Sequence, residues 1–302
     1  MTFPKLQLNT GASIPSLGLG LWQVSKDDAA SCVHHALKVG YRHLDTAFVY
    51  ENEEQVGQGI KESIADETIS SVDDVFVTTK LWNQFHGPWD TVRDAYRESL
   101  RMLDMETVDL YLVHWPVAFK YDPGNVFPLK EGKPEVVESD LVETWQAMSK
   151  LQKDGLCKAV GVSNFGPKQM QQCIDTPYGV MPAVNQIEAH PYCQRLEIRQ
   201  FCKQNNIQVT AYSPLGGGEA RSRLVKEPII QQIAQKRKKT ASQVLIAWCI
   251  NNNMICIPKS SHLERIEENF NSAFALSREE LDSINELNRE EPTLKVDWCR
   301  IE

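Results

Sequence analysis

Four residues in the first half of the sequence are of types that together perform acid–base chemistry: Asp45, Tyr50, Lys80 and His114. A tyrosine has a pKa of about 10, and a nearby ammonium favours its phenolate form. We therefore expect Lys80 to lower the pKa of Tyr50, while Asp45 holds Lys80 in place. His114 would donate a hydrogen bond to a carbonyl oxygen. This set suits reduction of a carbonyl, in which hydride reaches carbon while Tyr50 protonates oxygen.

Each of these residues also has an ordinary structural interpretation. A lone lysine at the end of a strand is usually a solvated charge, and a lone tyrosine in a loop usually lies at the surface. Asp45 could merely cap the next helix, and His114 could be a satisfied core histidine. The chemical interpretation therefore depends on whether the fold brings all four side chains to one place.

The chain repeats one kind of unit, in which a short apolar run ends at a polar turn and an amphipathic stretch follows. Strands are predicted at residues 16–21, 43–47, 75–81, 108–115, 158–163, 183–188, 208–213 and 254–258. Helices are predicted near residues 27–39, 51–65, 89–103, 140–153, 168–175, 195–204, 228–237, 242–251 and 263–270. The strand runs are apolar on both faces, as a buried parallel sheet requires, and the helices show a 3.6-residue period.

Eight strand–helix units predict a (β/α)8 TIM barrel formed by residues 1–302 as one domain. The alternative is an open doubly wound sheet, which usually has GxGxxG after its first strand; the run Gly18-Leu19-Gly20-Leu21-Trp22 does not fit. Residues 3–15 predict an N-terminal β-hairpin that plugs the bottom of the barrel. Residues 116–139 form a long connection with four prolines, which is typical of a substrate lid.

In such a barrel the reactive residues come from the carboxyl ends of the strands. Every predicted strand from the second onward ends in a polar residue. These strand-end residues are Asp45, Lys80, His114, Ser163, Asn164, Gln186, Tyr212, Ser213, Lys259 and Ser260. Tyr50 follows Asp45 by five residues, in the loop after the second strand. A barrel would therefore bring the four acid–base residues to one rim.

Composition excludes several classes of protein. Hydrophobic residues make up 42% and charged residues 24%, a globular balance that excludes collagen-like, coiled-coil and wholly disordered chains. The net charge of −8 disfavours nucleic acid as a partner. The sequence has neither an apolar stretch of about 20 residues nor a secretory signal, so we expect no membrane partner and a cytoplasmic location. Eight scattered cysteines without metal-binding spacing predict reduced thiols and no metal site. We also expect a monomer.

Three segments resemble, in order, the signature motifs of the aldo-keto reductase family: GYRHLDTAFVYENEEQVG (40–57), KAVGVSNF (158–165) and IPKSSHLERIEENF (257–270). Further segments resemble the family too, namely TTKLW (78–82), LYLVHWP (110–116), PAVNQIEAHPY (182–192) and TAYSPLG (210–216). The resemblance covers about residues 3–290. It implies an NADP(H)-dependent aldose- or aldehyde-reductase-like enzyme with Asp45, Tyr50, Lys80 and His114 as its catalytic tetrad and Tyr50 as the proton donor.

The resemblance also implies a set of cofactor-binding residues. Ser163, Asn164 and Gln186 would bind the nicotinamide carboxamide, with Tyr212 stacked on the ring. Ser213 and Leu215 would lie along the pyrophosphate. The full set is Trp22, Asp45, Ser163, Asn164, Gln186, Tyr212, Ser213, Leu215, Lys259, Ser260, Arg265, Glu268 and Asn269.

At the far end of the cofactor, the resemblance assigns Lys259, Ser260 and Arg265 to the adenosine 2′-phosphate, and Glu268 and Asn269 to the adenine. Physical chemistry agrees with the phosphate site, because a helix start attracts anions and an arginine matches phosphate geometry with paired donors. Without the motif, an exposed strand end and a solvated helix face would be the preferred interpretation of Lys259 and Arg265.

Aromatic residues near the strand ends predict an apolar substrate pocket, although core packing is the usual role of such residues. The predicted pocket residues are Trp22, Trp82, His114, Trp115 and Phe119, with Phe127 in the same long connection as Phe119. The sequence departs from the family pattern at His262, where many relatives have Thr or Asn, in a short loop after Leu215, and in a short C-terminal tail. In relatives that tail usually helps to set substrate specificity.

Two functions remain open at this point. The first is NADPH-dependent reduction of small aldehydes and open-chain aldoses to alcohols. The second is a non-catalytic NADP(H)-binding or structural protein on the same barrel. The complete set of Asp45, Tyr50, Lys80 and His114 favours the first.

Overall fold

The computed structural model describes residues 3–299 and residue 301. Its strands are β1 Lys5–Gln7, β2 Ser13–Pro15, β3 Leu19–Gly20, β4 His43–Asp45, β5 Phe76–Leu81, β6 Leu110–Val113, β7 Ala118–Phe119, β8 Leu129–Lys130, β9 Lys133–Pro134, β10 Val136–Val137, β11 Val160–Ser163, β12 Val184–Glu188, β13 Gln208–Tyr212 and β14 Ile255–Ile257.

The helices surround the strands. They are α1 Lys26–Val39, α2 Glu53–Ala65, α3 Trp89–Leu103, α4 Leu141–Lys153, α5 Pro167–Ile174, α6 Leu196–Gln204, α7 Gly218–Leu224, α8 Pro228–Arg237, α9 Ala241–Asn251, α10 Leu263–Phe270 and α11 Arg278–Asn285. Short 3-10 turns lie at Phe48–Tyr50, Val72–Asp74 and Asn83–Phe85. Within the described residues, none of these helices has the length and apolar character that a bilayer-spanning helix needs.

Eight parallel strands form the central sheet in the order β3, β4, β5, β6, β11, β12, β13, β14. The two outer strands of that order also meet, because Gly18 N donates to Cys256 O at 2.9 Å and Gly20 N donates to Pro258 O at 3.1 Å. The sheet is therefore closed, and the predicted (β/α)8 barrel is confirmed over an open doubly wound sheet. All eight carboxyl ends consequently face the same rim.

Local sequence explains how the helices pack on this barrel. In α1, for example, Ser25 caps the first turn by accepting from Asp28 N, and the helix ends at Gly40, whose φ of 121° suits glycine. The buried residues of α1 recur every three or four positions, at Ala29, Cys32, Val33, Ala36 and Leu37. Such a stripe packs one helix face against the strands and leaves the other face to solvent.

The N-terminal hairpin closes the bottom of the barrel, as predicted. Strands β1 and β2 pair antiparallel, and Leu8 and Ile14 are buried between them and the barrel strands. Both side chains share one apolar cluster with Leu110 and Ile255, which lie at the amino ends of β6 and β14. Asn9 Nδ2 also donates to Pro182 O at 2.8 Å, and this bond ties the turn to the barrel.

The structure differs from the sequence prediction at four places. The first predicted strand shrinks to the two residues of β3, and the predicted loop after Leu215 contains α7. The connection over residues 116–139 is partly ordered by pairing of β7 with β10 and of β8 with β9. Helix α11 was not predicted, although Ser277 and Glu280 form a capping box at its start. The three consecutive glycines 216–218 concealed α7, because glycine disfavours helices.

Glu280 joins α11 to α8 and generates a stability prediction. Its carboxylate accepts from Arg237 Nη2 at 2.6 Å and from Ser277 N at 2.8 Å, and the Arg237 guanidinium lowers the pKa of Glu280 to about 2. Hydrogen bonds to charged groups contribute about 1.5–3 kcal/mol, so Glu280→Gln should reduce the free energy of unfolding by about that amount at pH 7. Urea unfolding measures this loss, with Glu279→Gln on the exposed face as the control.

The pH dependence follows from the depressed pKa of Glu280. Its stabilisation is complete above the unfolded pKa of about 4.3 and is lost as the pH falls toward 2. The deficit of Glu280→Gln should therefore shrink below about pH 4. A deficit of the same size at pH 7 and pH 3 would contradict the ion pair as its cause.

Candidate active site

The predicted acid–base residues meet at the carboxyl rim of the barrel. Asp45 ends β4, Lys80 lies in β5, His114 follows β6, and Tyr50 ends the 3-10 turn after β4. Asp45, Tyr50 and His114 line a cavity of about 530 Å³, and the fully buried Lys80 lies beneath them. The closed barrel thus brings together four residues that are distant in sequence.

Lys80 is the most constrained member of this group. Its ammonium Nζ donates to Asp45 Oδ1 at 2.7 Å, to the Thr46 carbonyl at 2.7 Å and to the Tyr50 hydroxyl at 3.4 Å. Three acceptors match its three N–H groups, which offsets the cost of burying a charge. Burial lowers the pKa of Lys80 and raises the pKa of Asp45, and the attraction between the two charges opposes both shifts.

The pKa of Tyr50 shifts in the direction opposite to the one expected. Burial raises it well above the ordinary value, and the Asp45 carboxylate raises it further. The expectation that Lys80 lowers the pKa of Tyr50 was wrong, because burial of the hydroxyl and the nearby Asp45 carboxylate outweigh the ammonium, which lies 3.4 Å from the hydroxyl. Tyr50 therefore keeps its proton at neutral pH, which is the state that a proton donor requires.

His114 stands beside Tyr50 as a neutral imidazole. Burial lowers its pKa well below the ordinary value, and the Lys80 charge contributes in the same direction. The ring packs edge-on to Tyr50 and Trp82, with centroid distances of 5.7 and 5.2 Å. Its buried Nδ1 has no hydrogen-bond partner within the described residues. A neutral imidazole still donates one N–H, so His114 is able to polarise a carbonyl oxygen.

A hydrogen-bonded network continues from the tetrad around the rim. Gln186 Nε2 donates to Asp45 Oδ2 at 2.6 Å, and Asn164 Nδ2 donates to the His114 carbonyl at 3.0 Å. The Tyr212 hydroxyl donates to Asn164 Oδ1 at 2.8 Å. The predicted nicotinamide-binding residues therefore lie directly beside the acid–base residues, and their side chains are held by neighbouring strands. Sequence reasoning did not anticipate the contact between Gln186 and Asp45.

The other wall of the cavity is apolar. Trp82 and Trp115, two of the predicted pocket residues, line it, and so does Trp22, which is 44% exposed. Phe119 does not line the cavity; its ring packs against Trp82 with a centroid distance of 5.6 Å, and β7, which carries it, pairs with β10 in a separate two-stranded sheet. Three wall residues from the C-terminal tail were not predicted: Leu294, Val296 and Trp298. The alternation of apolar and charged residues in LKVDW was the available signal.

A second cavity of about 260 Å³ adjoins the first and is polar. Its lining includes the predicted phosphate and adenine residues Lys259, Ser260, Arg265, Glu268 and Asn269. Arg221 and Lys259 line both cavities, so the two form one cleft. Arg221 and Ser242 also line this cavity but were not among the predicted residues. The only signal for Arg221 was a polar residue shortly after a glycine run, and the only signal for Ser242 was a polar residue at the start of a helix. Ser213 and Leu215 line the first cavity, and Leu215 also lines the second.

The cleft thus has two chemically different ends. One end combines an apolar wall with Tyr50 and His114, and the other combines Lys259, Arg221 and Arg265 around a small polar cavity. Arginine and lysine side chains suit phosphate, while an apolar wall with few polar groups suits a small organic molecule. This arrangement fits an elongated cofactor with a phosphate-bearing end and a reactive end beside a small substrate.

Comparisons with known proteins agree with this geometry. The family model described as "Aldo/keto reductase family" matches residues 16–289. The chain is 42% identical over 290 residues to aldo-keto reductase family 1 member A1 of Xenopus tropicalis, covering 93% of this chain and 88% of that protein. The structure of the aldose reductase from Schistosoma japonicum superposes with a TM-score of 0.90 at 36% identity, over 97% of this chain and 94% of that one.

A second solved structure is the Bombyx mori aldo-keto reductase in complex with NADP. It superposes with a TM-score of 0.88 at 36% identity and covers 99% of this chain and 97% of that one. The match in sequence, the match in barrel and the tetrad at its rim lead to the same conclusion: the chain belongs to the aldo/keto reductase family.

Proposed function

We propose that this protein reduces small aldehydes and open-chain aldoses to alcohols with NADPH, and that Tyr50 donates the proton. The chain is an NADP(H)-dependent oxidoreductase of its family. The proposed substrates and the proposed proton donor rest on one observation: the buried Lys80–Asp45 pair lies beneath the protonated Tyr50, at the base of a largely apolar cavity. The aldose reductase among its structural neighbours supports the choice of aldoses.

The acid–base residues would act together on the carbonyl oxygen. Bound NADPH supplies the hydride that reaches the carbonyl carbon. His114 would donate a hydrogen bond to the oxygen, and Tyr50 would transfer its hydroxyl proton to it as negative charge develops there. Lys80, at 3.4 Å from the Tyr50 hydroxyl, would stabilise the phenolate that remains, and Asp45 would keep Lys80 charged and in place.

The proposed cofactor site follows the cleft from its apolar end to its cationic end. Ser163, Asn164 and Gln186 would bind the carboxamide, beside Tyr212. Farther along, Ser213 and Leu215 would lie along the pyrophosphate. The cationic end, to which the structure adds Arg221, would hold the 2′-phosphate and the adenine through Lys259, Ser260, Arg265, Glu268 and Asn269. These side chains fit such a group because they combine cations with polar donors in a small cavity.

We further propose that the 302 residues form one domain that works as a monomer in the cytoplasm. Within the described part of the chain, no disulfide joins the seven buried cysteines, which suits a reducing compartment. Light scattering of the purified protein measures its mass, which should be near 34.3 kDa. A mass of twice that value would contradict the monomer.

The first functional prediction concerns the proton donor. Tyr50→Phe should fold and bind NADPH as the wild type does, but it should lose about 10²–10⁴-fold in kcat, the usual contribution of a general acid. Consumption of NADPH with a generic aldehyde measures the rate, and fluorescence titration measures the Kd. Near-normal turnover would contradict the role of Tyr50, and an inactive wild type would instead favour a non-catalytic protein.

The second functional prediction concerns Lys80. Lys80→Met should reduce kcat at least as much as Tyr50→Phe, because it leaves Asp45 buried without its counter-ion. Any fall of kcat at alkaline pH that reports loss of the Tyr50 proton should occur at higher pH in Lys80→Met, because removal of the ammonium raises the pKa of Tyr50 further. The alkaline limb of the kcat profile should therefore move to higher pH or vanish. An unmoved limb would show that Lys80 does not tune Tyr50.

The third functional prediction concerns cofactor preference. Two charge-assisted hydrogen bonds of about 1.5–3 kcal/mol each predict that NADPH binds at least about a hundredfold more tightly than NADH. Arg265→Ala should weaken NADPH binding and leave NADH binding unchanged, since only NADPH carries the 2′-phosphate. Dissociation constants for both cofactors test this, with the exposed Arg278→Ala as the matched control. Equal weakening of both cofactors would contradict the phosphate site.

A further inference from the structure

A buried carboxylate outside the tetrad stands at the same rim. Glu188 is the last residue of β12, two positions after Gln186, and is only 1% exposed. Its Oε1 accepts from Thr293 N at 2.7 Å and from the Thr293 hydroxyl, and its Oε2 accepts from Leu294 N at 3.1 Å. His190 Nε2 lies 3.0 Å from Oε1. One strand-end side chain thus holds a segment more than 100 residues farther along the chain.

The carboxylate of Glu188 is ionised in this position. Burial raises its pKa, but the hydrogen bonds from His190, Thr293 and Leu294 outweigh burial and bring the net pKa below the ordinary value. A buried carboxylate without these donors would be costly, and two of the donors are backbone N–H groups of the tail. The charge and the tail therefore stabilise each other.

The segment that follows this anchor forms part of the cavity wall. Leu294, Val296 and Trp298 line the cavity, and the Trp298 ring packs on Trp115 and Phe119 at centroid distances of 4.8 and 5.1 Å. The segment has no helix or strand of its own. The backbone N–H groups of Arg289 and Glu291 both donate to the Tyr192 carbonyl. Within the described residues, residues 292–299 make no backbone–backbone hydrogen bond to the rest of the protein.

We propose that Glu188 is a positioning residue that fixes residues 293–298 as one wall of the substrate pocket and thereby determines how well large, apolar aldehydes bind. This inference rests on the proposed aldehyde reduction in the same cavity. A large aromatic aldehyde would fill more of the cavity and would contact the wall formed by Val296 and Trp298. A three-carbon aldehyde bound at Tyr50 and His114 would bury less apolar surface against this wall. Loss of the anchor should therefore affect the two substrates unequally.

The test compares Glu188→Gln with Glu280→Gln, a matched loss of a buried carboxylate that holds α11 and does not line the cavity. Steady-state rates are measured with propanal and with 4-nitrobenzaldehyde. In Glu188→Gln the KM for the aromatic aldehyde should rise about tenfold or more, because the substrate loses the apolar surface that it would bury against the tail. Both kcat values, the KM for propanal and the Kd for NADPH should change less than about twofold. Glu280→Gln should show no such split.

A second measurement is independent of activity. Hydrogen exchange should show the Thr293 and Leu294 amides protected in the wild type and in Glu280→Gln, and exchanging at least about tenfold faster in Glu188→Gln, since each amide loses a charged acceptor. If the wild type reduces neither aldehyde, the proposed function fails, while the exchange result still decides whether Glu188 anchors the tail. Unchanged exchange in Glu188→Gln overturns the anchor.

Thr293→Val covers the case in which Glu188→Gln does not fold. This variant keeps the carboxylate and the backbone amides but removes the hydroxyl donor of Thr293. It should raise the KM for the aromatic aldehyde more than the KM for propanal, but by less than Glu188→Gln does. The Leu294 amide should exchange faster than in the wild type. An equal change of KM for both aldehydes, in either variant, would overturn the proposal.

Discussion

The burial of one ammonium group governs the arrangement of the whole site. Lys80 has no solvent exposure, so its charge is tolerable only where acceptors surround it. Asp45 and the Thr46 carbonyl supply two of them at 2.7 Å, and the Tyr50 hydroxyl supplies the third at 3.4 Å. These partners exist because β4 and β5 are adjacent parallel strands in a closed barrel. The fold and the acid–base chemistry are therefore linked through a single side chain.

The rim extends this constraint from one strand to the next. Asp45 accepts from Gln186 of β12 on the opposite part of the barrel, and His114 accepts through its carbonyl from Asn164. The Asp45 carboxylate and the His114 backbone are thus held by residues that themselves carry a proposed role toward the cofactor. Such preorganisation holds the acid–base groups in place before the reaction begins. The activation free energy falls because these groups need not reorient during the reaction.

The two ends of the cleft follow different physical rules. The cationic end is built locally, from the end of β14 and the adjoining α10, with Arg221 added from α7. The apolar end is built from distant segments, since Trp82 and Trp115 come from strand ends and Trp298 comes from the tail. Electrostatic contacts at the cationic end favour a negatively charged group. The shape of the apolar end depends instead on how Glu188 holds the tail.

Local patterns in the sequence predicted much of the fold of this protein. Eight apolar runs alternating with amphipathic stretches specified the barrel, because helix and strand periods are local properties of the backbone. The meeting of Asp45, Lys80 and His114 at one rim followed, since parallel strands present their carboxyl ends together. The cofactor-binding set came from the resemblance to the family and stays a proposal. Three properties emerge only in the folded chain: the upward shift of the Tyr50 pKa, the position of Phe119 behind the wall, and the contribution of Leu294, Val296 and Trp298 to the wall. These properties depend on desolvation and on contacts between segments far apart in the chain, which no local pattern encodes.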